Sequence, residues 1–241
     1  MNHREVLELA EWRRLVAEMY AKTRGSSAGH AREAWEEYRS TRTSLFAAHP
    51  QSPLDRGQQM SFDGLPYFSY DPAWRIQGRI VPLSEAGLDP ELAAVTVDLP
   101  EGKLTCRPFA RVLFDPPDPP GTHGRSGRGP LALTLYWLET YGGGLFLPFR
   151  DLTSGRETYG SGRYLYDTIK GADLGAGPDA MLLDFNYAYN PSCAYNPRWV
   201  CPLAPRENDL SLRIEAGEMI KSEPEASSRS NAEGPILEMG V

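Results

Sequence analysis

The chain reads as an α+β protein, an N-terminal helical hairpin packed on a mainly antiparallel β-sheet that curls into a barrel or sandwich. Three observations predict this. Two segments with helical spacing of apolar residues precede residue 50, and short Val-, Ile-, Leu- and aromatic-rich segments follow with no helical segment between them. The 23 glycines and 21 prolines spread turns along the chain and disfavour long helices. Closure of the sheet would remove exposed edges.

The elements follow in order. Residues 5 to about 23 set Val6, Leu9, Val16, Met19 and Tyr20 near helical spacing, with Trp12 at the edge of that face. Gly25-Ser26-Ser27 breaks the pattern, and a second helix is expected from about Ala31 to Ala48 on Trp35, Tyr38 and Leu45. Pro50 ends it, because the residue before a proline is driven out of the α region. Residues 51 to 71 read as irregular, aromatic-bearing chain. Strands are expected at 74–82, 93–99, 104–114, 131–139, 145–149, across Arg163, at 181–186 and at 210–214. The proline- and glycine-rich residues 115–130 are expected to form an exposed loop, and 222–241 a disordered tail. One globular domain over 1–221 results, with the hairpin in 1–50 and the β-rich core in 51–221.

Composition narrows the partners. A net charge of -7 over 241 residues repels polyanions at long range, so nucleic acid is not expected. No run approaches the ~20 apolar residues of a membrane helix and the N-terminus lacks a signal-type apolar region, so a cytoplasmic protein without membrane attachment is expected. Three cysteines in such a compartment are expected as free thiols, Cys193 and Cys201 being the one pair to watch. CxxC, HxH and HExxH spacings are missing, so neither a metal nor another cofactor is expected.

Most chemically capable residues fall between Gly142 and Glu218. Gly142-Gly143-Gly144 enters an apolar strand and not a helix, which favours a tight turn over a phosphate cradle. Arg150, Asp151, Arg156, Glu157 and Arg163 alternate in sign, as loop ion pairs do. Arg163, beside Gly160 and Gly162, could instead present its fork to a carboxylate or phosphate, with a buried pairing to Asp184 as the competing use. Asp184 and Asn186 lie two residues apart at a strand end, able to orient a ligand or to hold the next turn. Two Tyr-Asn-Pro units place Tyr189 and Tyr195 on a looped aromatic surface. Glu215 and Glu218 read as solvated turn carboxylates.

Three functions fit these residues. The leading one is binding of a small anionic ligand, with Arg163 and Arg150 for its charge, Asp184 and Asn186 to orient it, and Tyr189 and Tyr195 as walls. A second is a hydrolase with Asp184 as general base or Cys193 as nucleophile. The third is an interaction module whose polar motifs only lock loops.

The long motifs WLETYGGGLFLPFRDLTSGRETYGSGRYLYDTIKGADLG and DFNYAYNPSCAYNPRWVCPLAPREN, the closing EAGE, and upstream HPQSPL, FDGLPYFSYDP and WRRLVAEMY resemble the bacterial "domain of unknown function 1684" family over most of residues 5–218. The resemblance implies no activity, substrate or residue role.

Overall fold

The computed structural model describes residues 2–85, 94–99, 102–118 and 129–221. Helix α1 (His3–Gly25) opens with a capping box in which the Asn2 side chain accepts from Glu5 N and the Glu5 carboxylate accepts from Asn2 N. Helix α2 (Ala31–Ala48) ends at His49, directly before Pro50 as the sequence predicts. A short helix α3 (Arg56–Met60) breaks the stretch read as irregular, capped by Asp55 and Gln58 in the same reciprocal way. Its five residues are too few for an apolar period, so only the cap signalled it.

Seven strands follow: β1 (Arg75–Pro82), β2 (Val95–Leu99), β3 (Gly102–Phe114), β4 (Leu131–Glu139), β5 (Gly144–Phe149), β6 (Arg163–Asp167) and β7 (Ala180–Asp184). All described pairings between them are antiparallel, in the order β6-β5-β4-β3-β1-β7, with β2 added to β3. The sheet curls into a half-barrel. Just beyond β7, the chain returns to the far end of that order: Tyr164 and Tyr189 exchange both backbone hydrogen bonds, at 2.9 and 3.0 Å. The last turn of the curl is thus made by the Tyr-Asn-Pro loop. Residue 93 of the second expected strand, residues 119–128 of the expected loop and the 222–241 tail lie outside the described residues.

One core runs from α1 and α2 through the concave face of the sheet, through Tyr20, Trp35, Tyr38, Val112, Leu133, Phe149, Leu165 and Phe185. The Trp35 indole donates to the Asn186 carbonyl at 2.8 Å, which fixes α2 over the end of β7. Where Pro148 on β5 has no N–H to offer β4, the buried Asn208 side chain substitutes. Its amide accepts from Thr134 N at 2.7 Å and donates to the Thr134 and Pro148 carbonyls at 3.0 and 2.7 Å.

The expected strand at 210–214 does not form. Residues 209–220 instead run as an irregular strap, bonded first to Arg150 and Leu152, then to the Phe68, Ala188 and Pro66 backbone. The apolar alternation of Leu210, Leu212 and Ile214 is real, since all three are buried, but the strap packs across the sheet and not in its ladder.

The turn before β6 depends on Gly162, which adopts φ +98°. A Cβ there would stand 2.5 Å from the Phe149 carbonyl oxygen and 2.9 Å from Ala204 Cβ. Gly162→Ala is therefore expected to cost about 1–3 kcal/mol in urea unfolding. A cost within a few tenths of wild type would show that this turn yields without loss.

Candidate functional site

The residues marked by sequence divide into locks and one group that borders a cavity. Arg163 is fully buried and points its guanidinium into the strap. It donates to Asp151 Oδ1 at 3.2 Å, to the Ile214 carbonyl at 3.0 Å, and to the Ala216 carbonyl. Asp151 also accepts from Ile214 N at 2.7 Å, from Thr153 N at 3.2 Å and from the Thr153 hydroxyl at 2.9 Å. Burial lowers the Arg163 pKa, and Asp151 opposes that shift. Arg163 therefore pairs with Asp151 and not with Asp184, and protein partners occupy both of its terminal nitrogens while Nε is buried without one.

Asp184 has its own cation. Its Oδ2 lies 2.9 Å from Arg75 Nη1, and its Oδ1 accepts from Asn186 Nδ2 at 2.8 Å. Burial raises the Asp184 pKa while Asn186 and Arg75 oppose it. Asn186 exchanges bonds of 2.9 Å with both the N–H and the carbonyl of Asp71. Arg150 makes a two-point contact with Asp209, at 2.6 and 2.9 Å. These four residues tie the irregular segments to the sheet ends.

Tyr189 and Tyr195 lead elsewhere. The Tyr195 hydroxyl donates to Glu218, whose other oxygen accepts from Arg42 Nη2 at 3.1 Å and from Asn190 N at 3.2 Å. Glu218 is fully buried, which corrects its reading as a solvated turn carboxylate; Glu215 is exposed and pairs with Arg213 at 2.8 Å. Burial raises the Glu218 pKa and Arg42 opposes the rise. The Arg42 guanidinium also lies over the Phe46 and Tyr189 rings, at 4.7 and 4.8 Å from their centroids.

Beside this group is a cavity of about 50 Å³, bordered by Trp12, Tyr20, Arg42, Lys170, Tyr189 and Asn190 among others. Arg42 Nε and Asn190 Oδ1 are both buried without a protein partner. One is a donor and the other an acceptor. Lys170, half-exposed at the rim, is paired with Asp167 at 3.3 Å, which raises its pKa.

Residues 60–219 match the family described as "Protein of unknown function (DUF1684)". The chain belongs to the DUF1684 family. The solution NMR structure of an uncharacterized protein from Haloarcula marismortui is 31% identical to it, covers 77% of this chain and 91% of that chain, and gives a TM-score of 0.48. No curated protein matches.

Arg42 lies outside the stretch of residues 142–218 on which the sequence reading concentrated. Its signal is positional: Trp35, Tyr38, Arg42 and Phe46 follow steps of three, four and four, so Arg42 occupies the apolar face of α2. A charge at such a position in this DUF1684 chain requires a buried counter-charge, and Glu218 supplies it. Among the described residues no histidine is hydrogen-bonded to Cys193, whose sulfur accepts from the Tyr159 hydroxyl at 3.7 Å. No group of His, Cys, Asp and Glu among the described residues is arranged to hold a metal ion, and none of their helices is long and apolar enough to cross a membrane.

Proposed function

We propose that this protein binds a small carboxylate that also carries a hydroxyl or amine, in the cavity between α1, α2 and the first Tyr-Asn-Pro loop. One observation carries the reading: the unpartnered Arg42 Nε and Asn190 Oδ1 belong to residues bordering the same cavity. Buried polar groups are nearly always satisfied, and an orphan donor with an orphan acceptor asks for a ligand that offers both complements. The carboxylate would accept from Arg42 Nε with Lys170 nearby at the rim, and the ligand's hydroxyl or amine would donate to Asn190 Oδ1. Trp12, Tyr20 and Tyr189 would enclose its short carbon skeleton. At about 50 Å³ the cavity has room for a group the size of a few waters.

The anionic ligand expected from sequence is kept, and its cation changes from Arg163 to Arg42. Tyr189 remains a wall, while Tyr195 acts through Glu218, which holds Arg42 in place. Thermal shift with glycolate, glycine and acetate tests the assignment. Glycolate or glycine is expected to raise Tm more than acetate at equal concentration, because acetate has no donor for Asn190 Oδ1. Arg42→Lys keeps a cation for Glu218 but loses Nε, and Lys170→Met removes the rim charge; both are expected to shrink the shift. Equal shifts in wild type and both variants, or none with any of the three probes, would sink the proposal.

A further inference from the structure

Resting on the carboxylate site proposed above, we infer that its ligand is an α-hydroxy acid bound as a net anion, and that the cavity rejects the matching α-amino acid by charge. Two cations, Arg42 and Lys170, border the cavity, and no acidic residue does among the described residues. Arg42 is 7% exposed and Asn190 3%, so both groups that would grip the ligand are screened from water. A site of this sign suits a carboxylate, and a zwitterion would bring its positive end to the same walls.

Two carboxylates pair with these cations, and neither borders the cavity. Glu218 accepts from Arg42 Nη2 at 3.1 Å and from Asn190 N at 3.2 Å, while its other oxygen takes the Tyr195 hydroxyl. Asp167 on β6 holds Lys170 at 3.3 Å. Each pair therefore turns its positive partner toward the cavity. The bordering phenols add no negative charge, since burial pushes the pKa values of Tyr20, Tyr164 and Tyr189 upward.

The hydrogen-bond count agrees with the charge. Asn190 Nδ2 donates to the Met219 carbonyl at 3.0 Å, which fixes the amide and leaves Oδ1 as its free, accepting end. A ligand hydroxyl brings one proton for that acceptor. An ammonium brings three protons and a full positive charge, and meets Arg42 and Lys170 without a carboxylate to balance it. Aromatic faces could otherwise cradle an ammonium, but the Arg42 guanidinium already lies over the Phe46 and Tyr189 rings, 4.7 and 4.8 Å from their centroids. A volume of about 50 Å³ admits only a short skeleton, which sets the hydroxyl on the carbon beside the carboxylate.

Calorimetric titration of the whole chain with glycolate, glycine and acetate at pH 7 tests the assignment. Glycolate is expected to bind at least about tenfold more tightly than glycine. Ser192→Asp places a carboxylate on the cavity border and leaves the Ser192 carbonyl to accept from Tyr195 N and Asn196 N as before. It is expected to shift the glycolate-to-glycine ratio toward glycine by about tenfold, because the ammonium gains a counter-charge. Lys170→Gln is expected to move the ratio the same way by weakening glycolate more than glycine. Equal affinity for glycolate and glycine, both above acetate, would overturn the α-hydroxy acid while leaving the carboxylate site intact. A preference for glycine in wild type, or a ratio unmoved in both variants, would likewise overturn the selection by charge. Failure of all three probes to bind would overturn the site itself and this ligand with it.

Discussion

Arg42→Met is expected to lower the unfolding free energy by about 3–5 kcal/mol at pH 7, because it leaves the Glu218 carboxylate buried without its cation. Methionine restores much of the volume against Phe46 and Tyr189, so the loss isolates charge more than packing. The pH dependence separates the two causes. Glu218 already has a pKa raised from the ordinary 4.5 by burial, and Arg42 is the main group pulling it back down. A carboxyl whose pKa is higher folded than unfolded contributes stability below its unfolded value, and that contribution is lost as pH rises through the folded value. Removing Arg42 raises the folded value further, so the deficit should be small below pH 4.5 and grow toward pH 7. Urea unfolding at pH 4 and pH 7 measures both ends. Glu218→Gln in the Arg42→Met background should recover most of the neutral-pH loss, since it removes the unpaired charge. A deficit independent of pH, with no recovery in the double variant, would mean that packing and not the ion pair is what Arg42 supplies.

The same pair shows where sequence reading succeeds and where it stops. Periodicity finds α1, α2 and the strands because each repeats a local spacing that burial enforces. The double-Asn-Pro loop is legible as a turn for the same reason, since proline acts on its immediate neighbour. Ion-pair choice is different. Arg163 could meet Asp151 or Asp184 equally well as residue types, and only the path of the strap selects Asp151. Glu218 looks like any carboxylate after a glycine until residues 209–220 are seen to run between Pro66 and Ala188. Arg42 and Glu218 are 176 residues apart, so a local window holds one or the other. The one local trace of their contact is a charge at an apolar helical position. The cavity is hidden for the same reason, since helices and loop meet there only through the fold.

The second large effect belongs to the Arg163–Asp151 lock, and the two partners should not be equivalent. Asp151→Ala leaves a fully buried guanidinium hydrogen-bonded to carbonyl oxygens alone, with the Glu218 carboxylate as its remaining nearby negative charge, and deprives Ile214 N and Thr153 of their acceptor. Arg163→Met leaves a carboxylate that still accepts from Ile214 N, Thr153 N and the Thr153 hydroxyl, while the Ile214 and Ala216 carbonyls lose a donor. Carboxylates surrounded by N–H and O–H donors tolerate burial far better than a bare cation does, so Asp151→Ala is expected to cost about 3–5 kcal/mol and Arg163→Met less. Both variants should loosen the strap before the sheet, because β3 and β4 keep their full ladder without it. Hydrogen exchange at the Leu210 and Ile214 amides is expected to speed up in both, with the Val112 and Leu133 amides near wild-type protection. Uniform acceleration across strap and sheet would show that the lock belongs to the cooperative core. A larger loss for Arg163→Met than for Asp151→Ala would show that capping the strap's carbonyls outweighs neutralising the buried charge.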